Sequence, residues 1–405
     1  MDITITKADA LPVLNRLISW QARARTAYSK ALSKPKRTEE IVDIIVAKND
    51  LLQAAKQAAP IAPSKSPLNI LQNILLSAVA GKLHVAATDL ELSLTCAITA
   101  DIRQSGQVAV QAKDFVERLA TMPAGPVHLS HADNRLIMKT SGARRYAMPA
   151  LPGEDFPTLA SVPDGAVVSV DSALLGSMIG RVQTNIGDDT TRLTNSALFE
   201  WDGYTVRMVA TDGHRLAKIE HTVPGLAHFS MLLPQRTWLE LRRFAATAGK
   251  ELRILIAGNE VYFSGDSATL ATKQSTTQFP PYRQVIPKVF TCSAVVSRTG
   301  LADAVKAVAL SSLKNKYGVT LCLQDRLSVS AVNPESGDAY DELSADYQGA
   351  EPLTIAVNAD YMADALSALA SDTVWIEASD TLAPIVVRPC ADSPDLFLVM
   401  PMRTT

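Results

Sequence analysis

The chain has 405 residues, 47% of them apolar and 20% charged, with a formal net charge of −2 at pH 7. That is the composition of a globular chain long enough for about three domains, and it excludes a disordered polyelectrolyte. No apolar run reaches the ~18 residues that a membrane span needs.

In chain order, residues 2–6 alternate like a strand, without the anatomy of a signal peptide, and residues 7–20 are predicted as a helix. Between Trp20 and Pro67 the composition changes. Nine basic residues (Arg23, Arg25, Lys30, Lys34, Lys36, Arg37, Lys48, Lys56, Lys65) stand there against four acidic ones (Glu39, Glu40, Asp43, Asp50). Ile41, Ile44, Ile45, Lys48, Leu52 and Ala55 share one helical face. Thr38 suits its cap, Glu39 and Glu40 its positive end, and Pro60 lies past its finish. With Lys34-Pro35-Lys36 as a turn, residues 21–64 are expected to form a basic helical hairpin.

Residues 83–86 alternate as a strand, and a helix is predicted over 112–122. A strand at 166–170, a helix at 171–182, a strand at 206–209 and a helix at 235–248 follow. The last third offers a strand at 292–297, a helix at 300–310, a strand at 327–330 and a helix at 359–369. Strands outnumber helices and succeed one another like hairpins, so the fold class is α+β, with antiparallel sheets backed by helices.

The order is periodic. Thr88-Asp89 returns as Thr211-Asp212, and Phe156-Pro157 as Phe279-Pro280, each 123 residues on. Lys113-Asp114-Phe115-Val116 returns as Arg236-Thr237-Trp238-Leu239 and again as Ala359-Asp360-Tyr361-Met362 at the same step of 123. A repeat of that length is a whole domain used three times. Aligning Leu11 with Leu175 leaves an excess of about 41 residues in the first repeat, which the basic segment 21–64 is expected to hold.

Four cysteines (Cys96, Cys292, Cys322, Cys390) lack CxxC spacing and read as small buried hydrophobes in a reducing cytosol. The histidines show no zinc spacing, and there is no phosphate-cradling glycine loop, so no metal or cofactor is expected. Asp212 and His214 admit two readings. One is the core of a hydrolase with a hydroxyl nucleophile; the other is a strand-to-turn aspartate that caps its own backbone.

Val209-Ala210-Thr211-Asp212-Gly213-His214-Arg215-Leu216-Ala217, the stretch from Phe279-Pro280-Pro281-Tyr282 to Val285-Ile286-Pro287-Lys288, and the tail Val399-Met400-Pro401-Met402-Arg403 resemble the bacterial DNA polymerase III beta subunits, the sliding clamps. Leu151-Pro152-Gly153-Glu154-Asp155-Phe156-Pro157 and Asn358-Ala359-Asp360-Tyr361 match as well, so the likeness spans everything except 21–64. The resemblance implies a DNA clamp fold of three similar domains: 1–164 with the insert, 165–290 and 291–405. Sheets would lie outside, with two helices per domain lining a channel. Two chains would join head to tail in a ring around double-stranded DNA, an edge strand near residues 145–148 meeting Ala309 and Leu310. The implied role is processivity in a DNA polymerase (nucleotidyltransferase) complex, in the cytoplasm on the nucleoid, with no chemistry of its own. A peptide-binding adaptor that never encircles DNA is the alternative from another class.

The resemblance also implies a pocket for short hydrophobic peptides of the replicative polymerase, clamp loader, and repair and translesion polymerases. It would use Thr211, Gly213, His214, Arg215, Leu216, Pro280, Val285, Tyr361, Leu398, Met400, Pro401 and Met402. Met400 and Met402 suit a promiscuous groove, Gly213 allows a positive φ, and Pro280 and Pro401 stiffen the rim. Gln284 stands where the family often has Arg, and the segment 191–195 is one residue short, leaving Leu193 uncertain. DNA-facing candidates are Arg16, Lys65, Lys113, Arg118, Arg181, Arg236, Arg242, Arg243 and Lys306. The third helix pair carries acid instead, at Asp360 and Asp364.

Overall fold

The computed structural model describes residues 42–159, 161–188, 194–225, 228–312, 318–335 and 337–402. Three units of one plan follow one another. Each has two four-stranded antiparallel groups and a pair of helices, and the first unit adds a ninth strand, Asp101–Gln104, beside Asp43–Ala47. The helices are α1 (Lys48–Ala58) and α2 (Ala112–Thr121), α3 (Ser172–Val182) and α4 (Gln235–Ala245), and α5 (Arg298–Ala309) and α6 (Ala359–Ser367). Each pair packs together on its own unit. The helix predictions at 112–122, 171–182, 235–248, 300–310 and 359–369 agree with α2 to α6 within a turn at their ends.

Local chemistry explains those boundaries. Asp171, Ser297 and Asn358 each accept an amide of the first turn, at Leu174, Gly300 and Asp360, so the first turns of α3, α5 and α6 have side-chain caps. Phe115 and Trp238, equivalent positions of the repeated motif, are fully buried core residues. The Trp238 indole N–H donates to the Ala197 carbonyl at 3.1 Å, so its burial leaves no unpaired donor.

The first unit corrects the sequence reading. Asp43–Ala47 is a strand paired with Pro126–Ala132, and it leads directly into α1. Residues 43–64 are therefore the opening strand, helix and following turn of the fold, not part of an inserted helical hairpin. The buried side chains are Val42, Ile44 and Val46 in alternation, then Leu51, Ala54, Ala55 and Ala58 at helical spacing. The run Val42-Asp43-Ile44-Ile45-Val46 is apolar at all but one position, so it fits either period, and long-range pairing of residues 43–47 decides for the strand. Lys48, at the start of α1, donates to the carbonyls of Ala120 and Met122 at the end of α2 and so satisfies that helix terminus. The predicted strand 2–6, the helix 7–20, Arg16 and most of the expected insert (21–41) lie outside the described residues. The excess of about 41 residues thus stands before the first unit and not within it.

The units are joined by shared sheet. Ala268–Lys273 of the second unit pairs with Leu92–Thr99 of the first, and Leu396–Val399 of the third pairs with Arg215–Thr222 of the second. Two continuous sheets of thirteen and twelve strands result. Ion pairs bridge the same joints. Arg236 meets Asp89 at 2.8 Å across the first, and Arg181 meets Asp395 at 2.6 Å across the second.

Of the cysteines, Cys96 and Cys292 are buried as expected, Cys322 is partly buried, and Cys390 is exposed. Burial pushes the Cys96 thiol up to about 12, which keeps it protonated and unreactive.

His131 is 4% exposed, and neither ring nitrogen has a hydrogen-bond partner among the described residues. Desolvation lowers its pKa below the ordinary 6.5. The unfolded chain binds this proton more readily than the folded one does. Stability is therefore full above pH 6.5, falls as pH drops below it, and levels off below the depressed folded value. We expect a slope of at most about 1.4 kcal/mol per pH unit from this group. Urea unfolding between pH 7 and 5 should show a shallower loss in His131→Leu than in the parent; parallel curves would refute this role.

Candidate peptide groove and basic surface

The Thr-Asp repeat is a turn. Thr211 Oγ1 donates to the Arg215 carbonyl at 2.7 Å and accepts the Gly213 amide at 3.1 Å. Asp212 Oδ1 accepts the amides of His214 and Arg215 at 2.9 and 3.0 Å. Thr88 and Asp89 do the same to Leu90, Glu91 and Leu92. The position after the aspartate has positive φ in both copies, +82° at Leu90 and +90° at Gly213. Glycine takes that conformation freely, whereas leucine is strained there by roughly 1–2 kcal/mol.

This geometry removes the hydrolase reading. Asp212 Oδ1 is used by backbone, and Oδ2 accepts Arg215 Nε at 2.9 Å. The His214 ring stacks on Tyr361 at 6.5 Å instead of being oriented by the carboxylate. Arg215 in turn spans the joint between the second and third units. Its guanidinium lies 4.3 Å over the Tyr361 ring and bonds Asp364 of α6. Asp364, which the sequence suggested only as a misplaced acid on a channel helix, is the counterion that fixes Arg215.

Cross-joint pairing builds the floor beside this turn. Leu216 sits opposite Leu398, and Arg215 opposite Val399. Val209, Leu216, Tyr282, Val386, Leu396 and Leu398 form one buried cluster, with Leu198, Phe279 and Ile286 packed on it. The tail is stitched across the joint. The Met400 amide donates to the His214 carbonyl at 2.9 Å, Pro401 bridges to Val357, and the Met402 amide donates to the Ala356 carbonyl at 2.7 Å. Above the buried floor, Val285 is 52% and Met400 38% exposed, so an apolar rim faces solvent. Thr211, Gly213, His214, Arg215, Leu216, Leu398, Met400, Pro401, Met402 and Tyr361 are thus brought together, with Pro280 and Val285 on the adjoining turn. Leu193 lies outside the described residues.

Sequence reasoning missed the polar wall of this region. Glu200, Arg207 and Glu220 lie directly opposite one another on three adjacent strands. Arg207 bonds Glu220 at 2.7 Å and lies 3.5 Å from Glu200. Tyr282 Oη donates to Glu200 at 3.0 Å, and burial, with Glu200 beside it, pushes the phenol up to about 12. The available signal was the alternation of opposite charges at Glu200, Arg207 and Glu220 in successive stretches of the chain.

The basic candidates divide. Lys65, Lys113, Arg242, Arg243 and Lys306 are exposed. Lys113, Arg118 and Arg243 have intrahelical carboxylate neighbours, Glu117 at 3.9 Å, Asp114 at 3.1 Å and Glu240 at 2.6 Å. Arg242 donates to Gln183 at 3.0 Å. Arg181 and Arg236 are committed to the two joints. Lys56, exposed on α1, is a further cation on the first helix pair. No cluster of metal-ligating side chains occurs among the described residues.

Three family models, the N-terminal, central and C-terminal domains of the DNA polymerase III beta subunit, match residues 42–160, 169–281 and 283–403. The chain belongs to the DNA polymerase III beta subunit family. A beta sliding clamp of Caulobacter vibrioides (strain NA1000 / CB15N) is 30% identical over 364 residues, covering 87% of this chain and 97% of the relative. The crystal structure of the DNA polymerase III beta subunit from Thermotoga maritima matches with a TM-score of 0.86 at 25% identity, over 90% of this chain and all of that one. That of a sliding clamp from Pseudomonas aeruginosa bound to griselimycin matches with a TM-score of 0.83 at 27% identity over the same shares. The fold is the clamp fold. The function that membership carries is that of a DNA sliding clamp, a processivity factor with no catalytic activity of its own. The hydrolase and adaptor alternatives are not favoured.

Proposed function

We propose that two copies of this chain close head to tail into a ring around duplex DNA and hold a replicative polymerase there. The carrying observation is a joint used twice within the chain. Leu92–Thr99 of the first unit pairs with Ala268–Lys273 of the second, and the equivalent strand Arg215–Thr222 pairs with the equivalent Leu396–Val399. The next members of the two series are Gly337–Gly349 in the third unit and Arg145–Pro152 in the first. Residues 145–149 and 337–344 of these strands keep one edge without a strand partner among the described residues. A head-to-tail contact with constant rotation closes a ring or grows a fibre, and two three-unit chains suffice for closure. Leu310, 85% exposed at the end of α5, and Tyr340, 64% exposed on the third unit's edge strand, suit a covered interface.

In such a ring the helix pairs face the DNA. Lys56, Lys65, Lys113, Arg118, Arg242, Arg243 and Lys306 would contact phosphates without reading sequence, in salt-labile fashion that permits sliding. The groove around Leu216, Val285, Leu398 and Met400 would take short hydrophobic peptides of the polymerase, clamp loader and repair and translesion polymerases. Three domains with boundaries near 165 and 290 are in keeping with the family matches at 42–160, 169–281 and 283–403. The site of action is the cytoplasm, on the nucleoid; among the described residues no helix is long and apolar enough to cross a membrane. The test is retention after loading onto nicked circular DNA. Release on linearisation and a solution mass of two chains are expected. Retention that ignores DNA topology would favour the adaptor reading and overturn encirclement.

A further inference from the structure

A cleft of 340 Å³ lies between the strand Ser196–Asp202 and the turn at 279–284, lined by Leu198, Glu200, Phe279 and residues 280–284. It borders the proposed groove: Pro280 belongs to both, and Leu198 and Phe279 pack on the same buried cluster as Leu216 and Leu398. Its apolar half is closed by the Tyr282 ring, and its polar half is unevenly committed. Glu200 already receives Arg207, Tyr282 and Arg283, at 3.5, 3.0 and 3.1 Å. Arg207 is enclosed by Glu200, Asp202 and Glu220. Arg283 differs. It rests 4.8 Å over the Tyr282 ring and touches Glu200, yet its side chain is 65% exposed. A guanidinium stacked on a ring and anchored through one nitrogen keeps its remaining donors directed outward. Within the cluster three carboxylates (Glu200, Asp202, Glu220) balance three cations (Arg207, Lys218, Arg283), and of the cations Arg283 is by far the most open to solvent.

We propose that this cleft extends the peptide groove and selects partners carrying an aspartate or glutamate beside their hydrophobic anchors, which Arg283 receives. The inference rests on the groove reading given above. Burying the acid's aliphatic stem against Phe279 and Tyr282 while its carboxylate meets Arg283 requires no rearrangement of Glu200 or Arg207.

The experiment uses the full chain and fluorescein-labelled synthetic peptides with leucine and phenylalanine anchors. The flanking residue is Ala, Glu or Lys, placed before the anchors in one set and after them in another, and binding is read by anisotropy. In one set the Glu peptide should bind about three- to fivefold tighter than the Ala peptide, the size of a partly exposed ion pair, and the advantage should shrink with salt. Arg283→Ala should erase the advantage without weakening the Ala peptide, and Arg283→Glu should transfer it to the Lys peptide. Circular dichroism should be unchanged in both variants, since the side chain is exposed. Equal affinity for Ala and Glu peptides in both sets would overturn the proposal while leaving the groove intact. A preference of the parent chain for Lys would overturn it in favour of Glu200 as the receiving group. Failure of every anchored peptide to bind would overturn both this proposal and the groove.

Discussion

Ala147→Pro combined with Leu310→Asp is expected to turn a two-chain particle into monomers and to abolish topological retention on circular DNA. The Ala150 amide points inward, to the Asn134 carbonyl, so with period-two alternation the Met148 and Tyr146 amides also point to the neighbouring strand. The Ala147 amide then points outward, on the same side as Pro149, which has none. Proline at 147 thus removes a donor from the outer edge and spares the inner ladder. Each lost edge hydrogen bond costs about 1 kcal/mol, and losing the burial of a leucine at a covered interface costs roughly 1.5–3 kcal/mol. With two copies of the interface per ring, dissociation at micromolar concentration follows. Light scattering gives the mass and circular dichroism the fold. A folded variant that keeps the mass of two chains would show that these edges do not meet.

Deleting Met400–Thr405 is expected to weaken binding of a leucine- and phenylalanine-anchored peptide by about 30- to 100-fold while leaving the fold and the particle mass unchanged. Met400 forms part of the exposed rim, and among the described residues the tail is tied by the Met400 amide to His214 and by Pro401 and Met402 to Val357 and Ala356. The strand Leu396–Val399, whose side chains are all buried and which closes the joint, remains. One wall lost against a single anchor corresponds to roughly 2–3 kcal/mol of burial, which sets the stated factor. Calorimetric titration measures it. An affinity within twofold of the parent would place peptide recognition elsewhere on the molecule, and a lowered thermal midpoint would show that the tail is structural.

Much of this architecture was written locally. The step of 123 residues, the alternation in the repeated strands and the capped starts of α3, α5 and α6 depend on near neighbours, and the chain realises them where the pattern puts them. The Thr-Asp turn is equally local, because its hydrogen bonds run only two to four residues along the chain. The residues of the proposed groove were named through their motifs, since Leu216 and Met400 occupy short stretches that resemble the clamp family. Tertiary structure decided what the sequence left degenerate. The apolar run Val42 to Val46 satisfies helical and strand periods alike, and the pairing of Asp43–Ala47 with Pro126–Ala132 settles the strand. That pairing makes residues 43–64 of the expected insert the opening strand, helix and turn of the first unit. Arg181 and Arg236 read as DNA-facing helix cations, because a charge on a helix says nothing of its counterion. Asp395 and Asp89, far along the chain, make them struts between units. Asp364 changes meaning in the same way, from a misplaced acid to the partner of Arg215. Local propensity fixed the elements; side-chain pairing over long range, where one short contact outweighs any local charge preference, fixed which charges remain free for a ligand.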